Sequence, residues 1–176
     1  WRGAETENVP MQDRKSTIGA KYLYKLFNEA ALEIKGIDQS HPVAICNGDL
    51  LFLDIIAKEC TDIDVLGINI YRGLSFGDAY TRVKNEYGKP VMLTEFGADA
   101  YSTMANNEDQ ESQAKCLVNN WKEIYANAAG MGKANNSIGG FTFQFSDGWW
   151  KTGQTSNLDV HDADASWSNG GYLNDY

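Results

Sequence analysis

The amino-acid sequence predicts an α/β fold in which helices cover a parallel β-sheet. Short apolar runs typical of buried strands alternate along the chain with segments whose apolar residues recur at the helical period. The composition, with 43% hydrophobic and 12% aromatic residues, supplies enough apolar side chains for a packed core. Because strand and helix alternate rather than cluster, we expect neighbouring strands to run parallel, with helices as crossovers.

The first predicted element is a helix. Its apolar residues recur at helical spacing, and they are Ile18, Tyr22, Leu23, Leu26, Phe27, Ala30 and Ile34. His41-Pro42 ends this pattern, because proline disfavours the helical conformation in the residue before it. Three strand–helix units follow, with strands near 43–46, 64–70 and 91–94 and helices near 52–58, 78–86 and 108–128. A last strand is expected over 139–145.

Two of these helices carry local signals at their ends. Gly88-Lys89-Pro90 is a stop signal in the expected order for the helix near 78–86. The helix near 108–128 begins with acidic residues, which suits the positive end of a helix dipole. One face of this long helix is predicted to be apolar, and it consists of Ala114, Leu117, Val118, Trp121, Ile124, Tyr125 and Ala128.

The charge of the chain disfavours several classes of partner. Twenty-four acidic residues against fifteen basic ones give a formal net charge of −9. This excess repels phosphate backbones and anionic lipids, so neither nucleic acid nor a membrane surface is expected as a partner. No apolar run reaches the roughly 18 residues of a membrane span, and no signal peptide is recognisable. We therefore expect a soluble chain, and its compartment stays open.

Metal and cofactor sites are not expected either. Cys46, Cys60 and Cys116 have no metal-ligand spacing, and their odd number excludes a closed disulfide framework. We expect Cys46 and Cys116 to be small buried hydrophobic residues. The run from Asp159 to Ser166 alternates oxygen ligands but lacks the glycine and terminal glutamate of an EF-hand loop, which favours a polar loop over a Ca²⁺ site. Nothing in the chain calls for an organic cofactor.

A carboxylate follows the strand Val91-Met92-Leu93-Thr94. Glu95 stands at the carboxyl end of this apolar run, where a charge is costly to desolvate unless it is paired or takes part in chemistry. Residues at this edge of a parallel barrel point into the active site. Glu95 is therefore the candidate catalytic residue, and the alternative is an ordinary strand-end glutamate.

Polar and aromatic residues follow two further strands. Asn69 and Tyr71 are two positions apart, so their side chains would lie on the same face of a strand. One could hydrogen-bond sugar hydroxyls, and the other could donate to a carboxylate. Phe143 lies in the aromatic run of the last strand, and Trp149 and Trp150 continue that run past its end. Sugars stack their flat C–H faces on aromatic rings, so these residues and Trp167 are candidate platforms. Structural packing is the alternative for each of them.

These three elements, in this order, resemble the catalytic barrel of glycoside hydrolase clan A. The resemblance is closest to the family 2 type, which includes β-galactosidases, β-glucuronidases and β-mannosidases, and it covers about residues 41–150. It implies a partial TIM (β/α)8 barrel, roughly strands 5–8 with their helices. The chain of 176 residues is shorter than the about 250 residues of a complete barrel. Residues 1–176 are thus expected to form the C-terminal half of a glycosidase catalytic domain.

The resemblance also implies roles for individual residues. Glu95 matches the nucleophile at the end of the seventh strand, and Tyr71 matches a tyrosine after the sixth that contacts it. Phe143 stands where an aromatic residue, often tryptophan, forms the floor of the sugar site. Asn47-Gly48-Asp49 would follow the fifth strand and border the site. The residues expected to bind a β-glycoside are Asn47, Asp49, Asn69, Tyr71, Phe143, Trp149 and Trp150.

The second catalytic carboxyl group of a retaining glycosidase has no match in the chain. In the clan, the acid/base is a glutamate that follows asparagine at the end of the fourth strand. The three Asn-Glu pairs here fall within or at the start of predicted helices, and Glu5 and Glu7 follow Ala4 and Thr6. We expect the acid/base to lie upstream of residue 1, so that residues 1–176 alone are inactive. The half barrel would then need the remainder of the barrel, or a second copy of the chain, as its partner.

Other functions stay open at this point. The chain could be a carbohydrate-binding domain that has retained its aromatic residues and lost catalysis. It could also be a half barrel whose site forms across a homodimer. A glycosyl-enzyme can also be intercepted by a sugar, which would make the reaction a transglycosylation.

Overall fold

We describe a computed structural model of the chain, which defines residues 15–102, 105 and 107–145. The main elements in chain order are α1 (Lys15–Ile37), β1 (Ala44–Gly48), α2 (Leu53–Glu59), β2 (Val65–Asn69), α3 (Ala79–Glu86), β3 (Val91–Phe96), β4 (Tyr101–Ser102), β5 (Asn107–Glu108), α4 (Gln110–Ala126) and β6 (Ser137–Thr142). All the helices and long strands predicted from the sequence are present, with ends displaced by a few residues. The short antiparallel pair β4–β5 was not predicted.

The four long strands form one parallel sheet in the order β1-β2-β3-β6. The α/β prediction is therefore confirmed, and the arrangement is compatible with part of a TIM barrel. Gly48 pairs with Asn69, and Asn69 pairs with Glu95, so the carboxyl ends of β1, β2 and β3 meet at one edge. This register brings together residues that lie more than twenty positions apart in sequence.

The core lies between the sheet and helices α1, α2, α3 and α4. Its fully or almost fully buried side chains include Leu53, Ile56, Ile63, Leu66, Ile68, Val83, Val91 and Leu93. Burial of each such side chain stabilises the fold by about 1.5–3 kcal/mol. Phe96, also fully buried, contacts Phe76 edge-on at 5.7 Å and Trp121 at 5.3 Å between ring centroids. Phe96 therefore anchors the end of β3, where the candidate catalytic residue lies.

The helix-end signals act as the sequence predicts. Gly88 adopts a left-handed conformation with φ of 72°, and its N–H donates to the carbonyl of Val83. This is the C-terminal cap for which glycine is favoured. At the start of α4, the Asp109 side chain accepts a hydrogen bond of 3.0 Å from the Ser112 N–H. Capping of this kind typically contributes about 1 kcal/mol.

The apolar faces of the two outer helices, α1 and α4, are largely exposed. An apolar stripe at the helical period usually marks a face that packs against the core. Among residues 16–37 of α1, the buried ones are Ala20, Tyr24 and Ala31. The exposed apolar residues of the two helices include Ile18, Tyr22, Leu23, Leu26, Ile34, Val118, Trp121 and Tyr125. In addition, Cys46 is exposed, so the expectation that it is buried was wrong, whereas Cys116 is buried. The apolar faces are real, but no other described residues cover them.

None of the helices in the described ranges is long and apolar enough to cross a membrane.

Candidate active site

Glu95 lies near the end of β3, at the carboxyl edge of the sheet. It is half-buried, between the buried side chains of Leu93 and Phe96 along the strand. Its backbone carbonyl accepts a hydrogen bond of 2.8 Å from the Ile70 N–H. This bond attaches the start of the loop that follows β2 to β3. The carboxylate is thus carried by a strand whose neighbours on both sides are hydrogen-bonded to it.

Tyr71 lies directly beside this carboxylate. Its hydroxyl donates a hydrogen bond of 3.1 Å to Glu95 Oε2. The strand β2 ends at Asn69, so Tyr71 belongs to the loop that follows and not to the strand itself. The structure brings these two sequence-predicted residues together across 24 positions of sequence. A hydrogen bond to a charged acceptor is stronger than one between neutral groups, so this contact orients the carboxylate.

Asn69 stands next to Glu95 in the register of the sheet. Its Oδ1 accepts hydrogen bonds from the Thr94 hydroxyl at 2.6 Å and from Cys46 Sγ at 3.0 Å. Cys46, Asn69 and Thr94 therefore form a hydrogen-bonded polar cluster across the neighbouring strands β1, β2 and β3. Sequence reasoning missed Cys46 and Thr94 as neighbours of Asn69, because their proximity depends on strand register and has no local signal.

The ends of β3 and β6 approach closely. The Phe143 N–H donates to the carbonyl of Phe96 at 2.8 Å, which places the half-buried Phe143 beside the loop that follows Glu95. A Cβ atom on Gly97 would lie 2.5 Å from the carbonyl oxygen of Phe143. That distance is well below van der Waals contact, so this approach requires glycine at position 97.

We expect Gly97→Ala to damage the site without removing any functional group. The added methyl group meets a backbone oxygen, so the chain must move apart where the residue after β3 approaches Phe143, two positions from Glu95. Overpacking of this kind typically costs about 1–3 kcal/mol of folding free energy, and a displacement near 1 Å can lower the rate about 100-fold. Denaturant unfolding and kcat/KM of the full-length protein measure both effects. Gly36→Ala, where nothing lies within 4 Å of the added carbon, is the matched control.

Asp49 does not face the site as a free carboxylate. Its two oxygens accept hydrogen bonds from Arg72, at 3.0 Å from Nε and 2.5 Å from Nη2. These hydrogen bonds raise the pKa of Arg72 above its usual range. Arg72 was not identified from the sequence, because an arginine next to Tyr71 has no pattern of its own. The ion pair joins the loops that follow β1 and β2.

Asn47 is turned towards the helices rather than towards Glu95. Its Oδ1 accepts a hydrogen bond of 2.5 Å from the Tyr24 hydroxyl of α1. Its Nδ2 donates to the carbonyl oxygens of Asp49 and Leu51, each at 3.0 Å. With both ends of the amide engaged and the residue buried, Asn47 shapes the loop after β1. The sugar-binding role expected of Asn47 from the sequence stays a prediction.

The remaining sequence-predicted features lie outside the described residues. They are Trp149, Trp150 and Trp167, the acidic run from Asp159 to Asp164, and the residues Glu5 and Glu7 near the start of the chain. Within the described residues, the site consists of a strand-end carboxylate with a tyrosine donor, an asparagine whose backbone pairs with that of Glu95, and an aromatic residue directly after the adjoining strand. Such an arrangement can present a carboxylate nucleophile to an electrophilic carbon.

Residues 8–143 match a family model described as the glycosyl hydrolase catalytic core. Among solved structures, the chain is similar to a beta-glucuronidase of Bacteroides uniformis, with a TM-score of 0.52, 16% identity and coverage of 76% of this chain and 17% of that one. A beta-glucuronidase of an uncultured Clostridium sp. aligns with a TM-score of 0.41, 26% identity and coverage of 66% and 21%. No curated protein matches the chain. The chain therefore spans about a fifth of the length of each of these two enzymes.

Proposed function

Because the chain belongs to the glycosyl hydrolase catalytic core family, we propose that it is the nucleophile-bearing half of a retaining β-glycosidase of the family 2 type. The observation that carries this proposal is the contact between Glu95 and Tyr71. A carboxylate at the carboxyl edge of a parallel sheet, with a phenolic hydroxyl donating to it at 3.1 Å, supports the role of nucleophile.

The proposed reaction is a double displacement. Glu95 attacks the anomeric carbon, a glycosyl ester forms, and the bond from that carbon to the leaving-group oxygen breaks. A second carboxylic acid protonates the departing oxygen. As a carboxylate, it then removes a proton from the water that hydrolyses the ester, so the acid and Glu95 are both regenerated. Since Tyr71 donates to Oε2, we assign Oε1 of Glu95 as the attacking atom.

The substrate is a β-glycoside, and several residues are proposed to bind its sugar. Asn69 is assigned to a hydroxyl group, because its backbone pairs with that of Glu95 in the sheet. Phe143 is assigned to the apolar face of the ring, together with Trp149 and Trp150. Asp49 and Asn47 are assigned to the support of the neighbouring loop, given their contacts with Arg72 and Tyr24.

We propose that the chain forms about half of its barrel. In the described sheet, β1 and β6 are edge strands, and both lie next to helices with exposed apolar faces. A closed barrel has no such edges, and its helices cover one another. The remainder of the barrel would supply the missing strands and the acid/base glutamate, which precedes residue 1 in this proposal. A second copy of the chain is the alternative partner.

Covalent labelling tests the proposal. The full-length protein is incubated with a panel of 2-deoxy-2-fluoro-β-glycosyl fluorides carrying glucose, galactose, mannose and glucuronate configurations. The fluorine at C2 slows both formation and hydrolysis of the glycosyl ester, but the fluoride leaving group at C1 speeds formation alone, so the ester accumulates. We expect an added mass equal to one fluorosugar, mapped by peptide mass spectrometry to Glu95, with the most reactive configuration identifying the sugar. Labelling of another carboxylate, or of none, would disprove the assignment of Glu95.

A further inference from the structure

We propose that Arg72, held by Asp49, positions Tyr71 and so fixes the hydroxyl group that donates to Glu95. The inference rests on the proposed role of Glu95 and adds to it the residues that hold its donor in place. Arg72 directly follows Tyr71 in the loop between β2 and α3, residues 70–78. Without a restraint, such a loop would let the tyrosine ring leave the carboxylate.

The restraint towards β1 is a two-pronged ion pair. Arg72 Nε and Nη2 donate to the two oxygens of Asp49 at 3.0 Å and 2.5 Å, a geometry that fixes the guanidinium plane as well as its distance. Asp49 is itself fixed, because its N–H donates to the Asn69 carbonyl at 2.8 Å and its Oδ1 accepts from the Leu50 N–H at 2.6 Å. Arg72 therefore attaches the loop to a fixed residue directly after the neighbouring strand β1.

The loop is also held by hydrogen bonds between its own residues and by a hydrogen bond from α4. Arg72 Nη1 donates to the carbonyl of Phe76 at 3.0 Å and to Asp78 Oδ1 at 3.2 Å, so the same side chain closes the loop on itself. From α4, Asn120 Nδ2 donates to the Gly73 carbonyl at 2.7 Å. The residues after Tyr71 are thus bound on three sides, and Ile70 before it is bound to Glu95.

The contacts of Arg72 favour positioning over direct binding of substrate. Its guanidinium is paired with Asp49 and Asp78, so its charge is already balanced, and its side chain is only 25% exposed. An arginine that recruited an anionic sugar would present its charge to the open site. Here the side chain instead lies between two loops, and its nearest link to the reaction is the adjacent residue Tyr71.

A double-mutant cycle in the full-length enzyme tests the inference. The measured quantity is the rate constant for inactivation by the 2-deoxy-2-fluoroglycosyl fluoride that labels the parent enzyme fastest. We expect Tyr71→Phe to lower it about 10- to 100-fold, because a hydrogen bond to a charged group is lost. Arg72→Met is expected to lower it about 5- to 20-fold alone, but less than about 2-fold in the Tyr71→Phe background, since it acts through Tyr71. Effects that multiply would overturn the inference.

A spectroscopic readout separates positioning from general stability. With 3-fluorotyrosine at position 71, the parent is expected to give one narrow ¹⁹F resonance, and Arg72→Met a broadened or doubled one. Arg82→Met is the matched control, because the Arg82 guanidinium pairs with Glu86 on α3 and, among the described residues, donates no side-chain hydrogen bond to this loop. An unchanged resonance in Arg72→Met would overturn the inference. The resonance does not depend on turnover, so failed labelling of Glu95 with a perturbed resonance would disprove only the proposed function.

Discussion

Replacing Glu95 by glutamine is expected to lower kcat/KM of the full-length enzyme about 10⁴-fold or more, as loss of a covalent nucleophile typically does. Glutamine keeps the size of the side chain and can still accept from the Tyr71 hydroxyl, so the fold should persist. Its neutral amide cannot form the glycosyl ester. Steady-state hydrolysis of dinitrophenyl β-glycosides measures the loss, and circular dichroism shows whether folding is retained.

Azide distinguishes a nucleophile from an acid/base residue. In Glu95→Ala, azide can enter the vacated space and attack the anomeric carbon of a dinitrophenyl β-glycoside, expelling dinitrophenolate. One displacement inverts the anomer, so the product is expected to be an α-glycosyl azide. A β-glycosyl azide would assign Glu95 as the acid/base instead. Glu86→Gln, an exposed carboxylate on α3 that pairs with Arg82, is the control and should retain activity.

The strand–helix order and the place of Glu95 could be predicted from the sequence because both depend on local signals. Apolar runs mark the buried strands, and the stop at Gly88 fixes where the strand before Glu95 begins. The spacing of Asn69 and Tyr71 suggested a donor to a carboxylate, but the family resemblance was needed to identify that carboxylate as Glu95, since nothing local links Tyr71 and Glu95. The Asp49–Arg72 pair could not be predicted from local signals or from the family resemblance. It joins positions 23 apart and exists only because β1 and β2 are neighbours in the sheet.

The outer helices show a different limit of sequence reasoning. A helical period tells which side of α1 is apolar, but not whether another part of the molecule covers it. Leu23 is 46% exposed and Leu26 is 58% exposed in the described structure, although both belong to the apolar pattern. A glycosidase barrel that continues past β1 and β6 would explain why these side chains are apolar.

This explanation predicts opposite effects of polar substitutions on the apolar face of α1. They should reduce self-association of residues 1–176 alone, but they should destabilise the full-length protein. Produced alone, residues 1–176 are expected to self-associate as concentration rises, because open sheet edges and exposed apolar helix faces pair with one another. The double substitution Leu23→Lys and Leu26→Lys should reduce this association in analytical ultracentrifugation. In the full-length protein the same substitutions should destabilise, by roughly 3 kcal/mol or more if both leucines become buried there. Urea unfolding measures that loss.

Glu33→Lys separates the effect of burial from the effect of charge. Glu33 is an exposed acidic residue of the same helix, so its replacement raises the net charge in the same direction without touching the apolar face. We expect it to leave both the association of residues 1–176 and the stability of the full-length protein within about 0.5 kcal/mol of the parent. A stable monomer of residues 1–176 at all concentrations, with no loss of stability from the leucine substitutions in the full-length protein, would contradict a half barrel. The apolar faces would then be part of the solvent-exposed surface of the folded protein. The second catalytic carboxyl group would have to come from the same chain as Glu95.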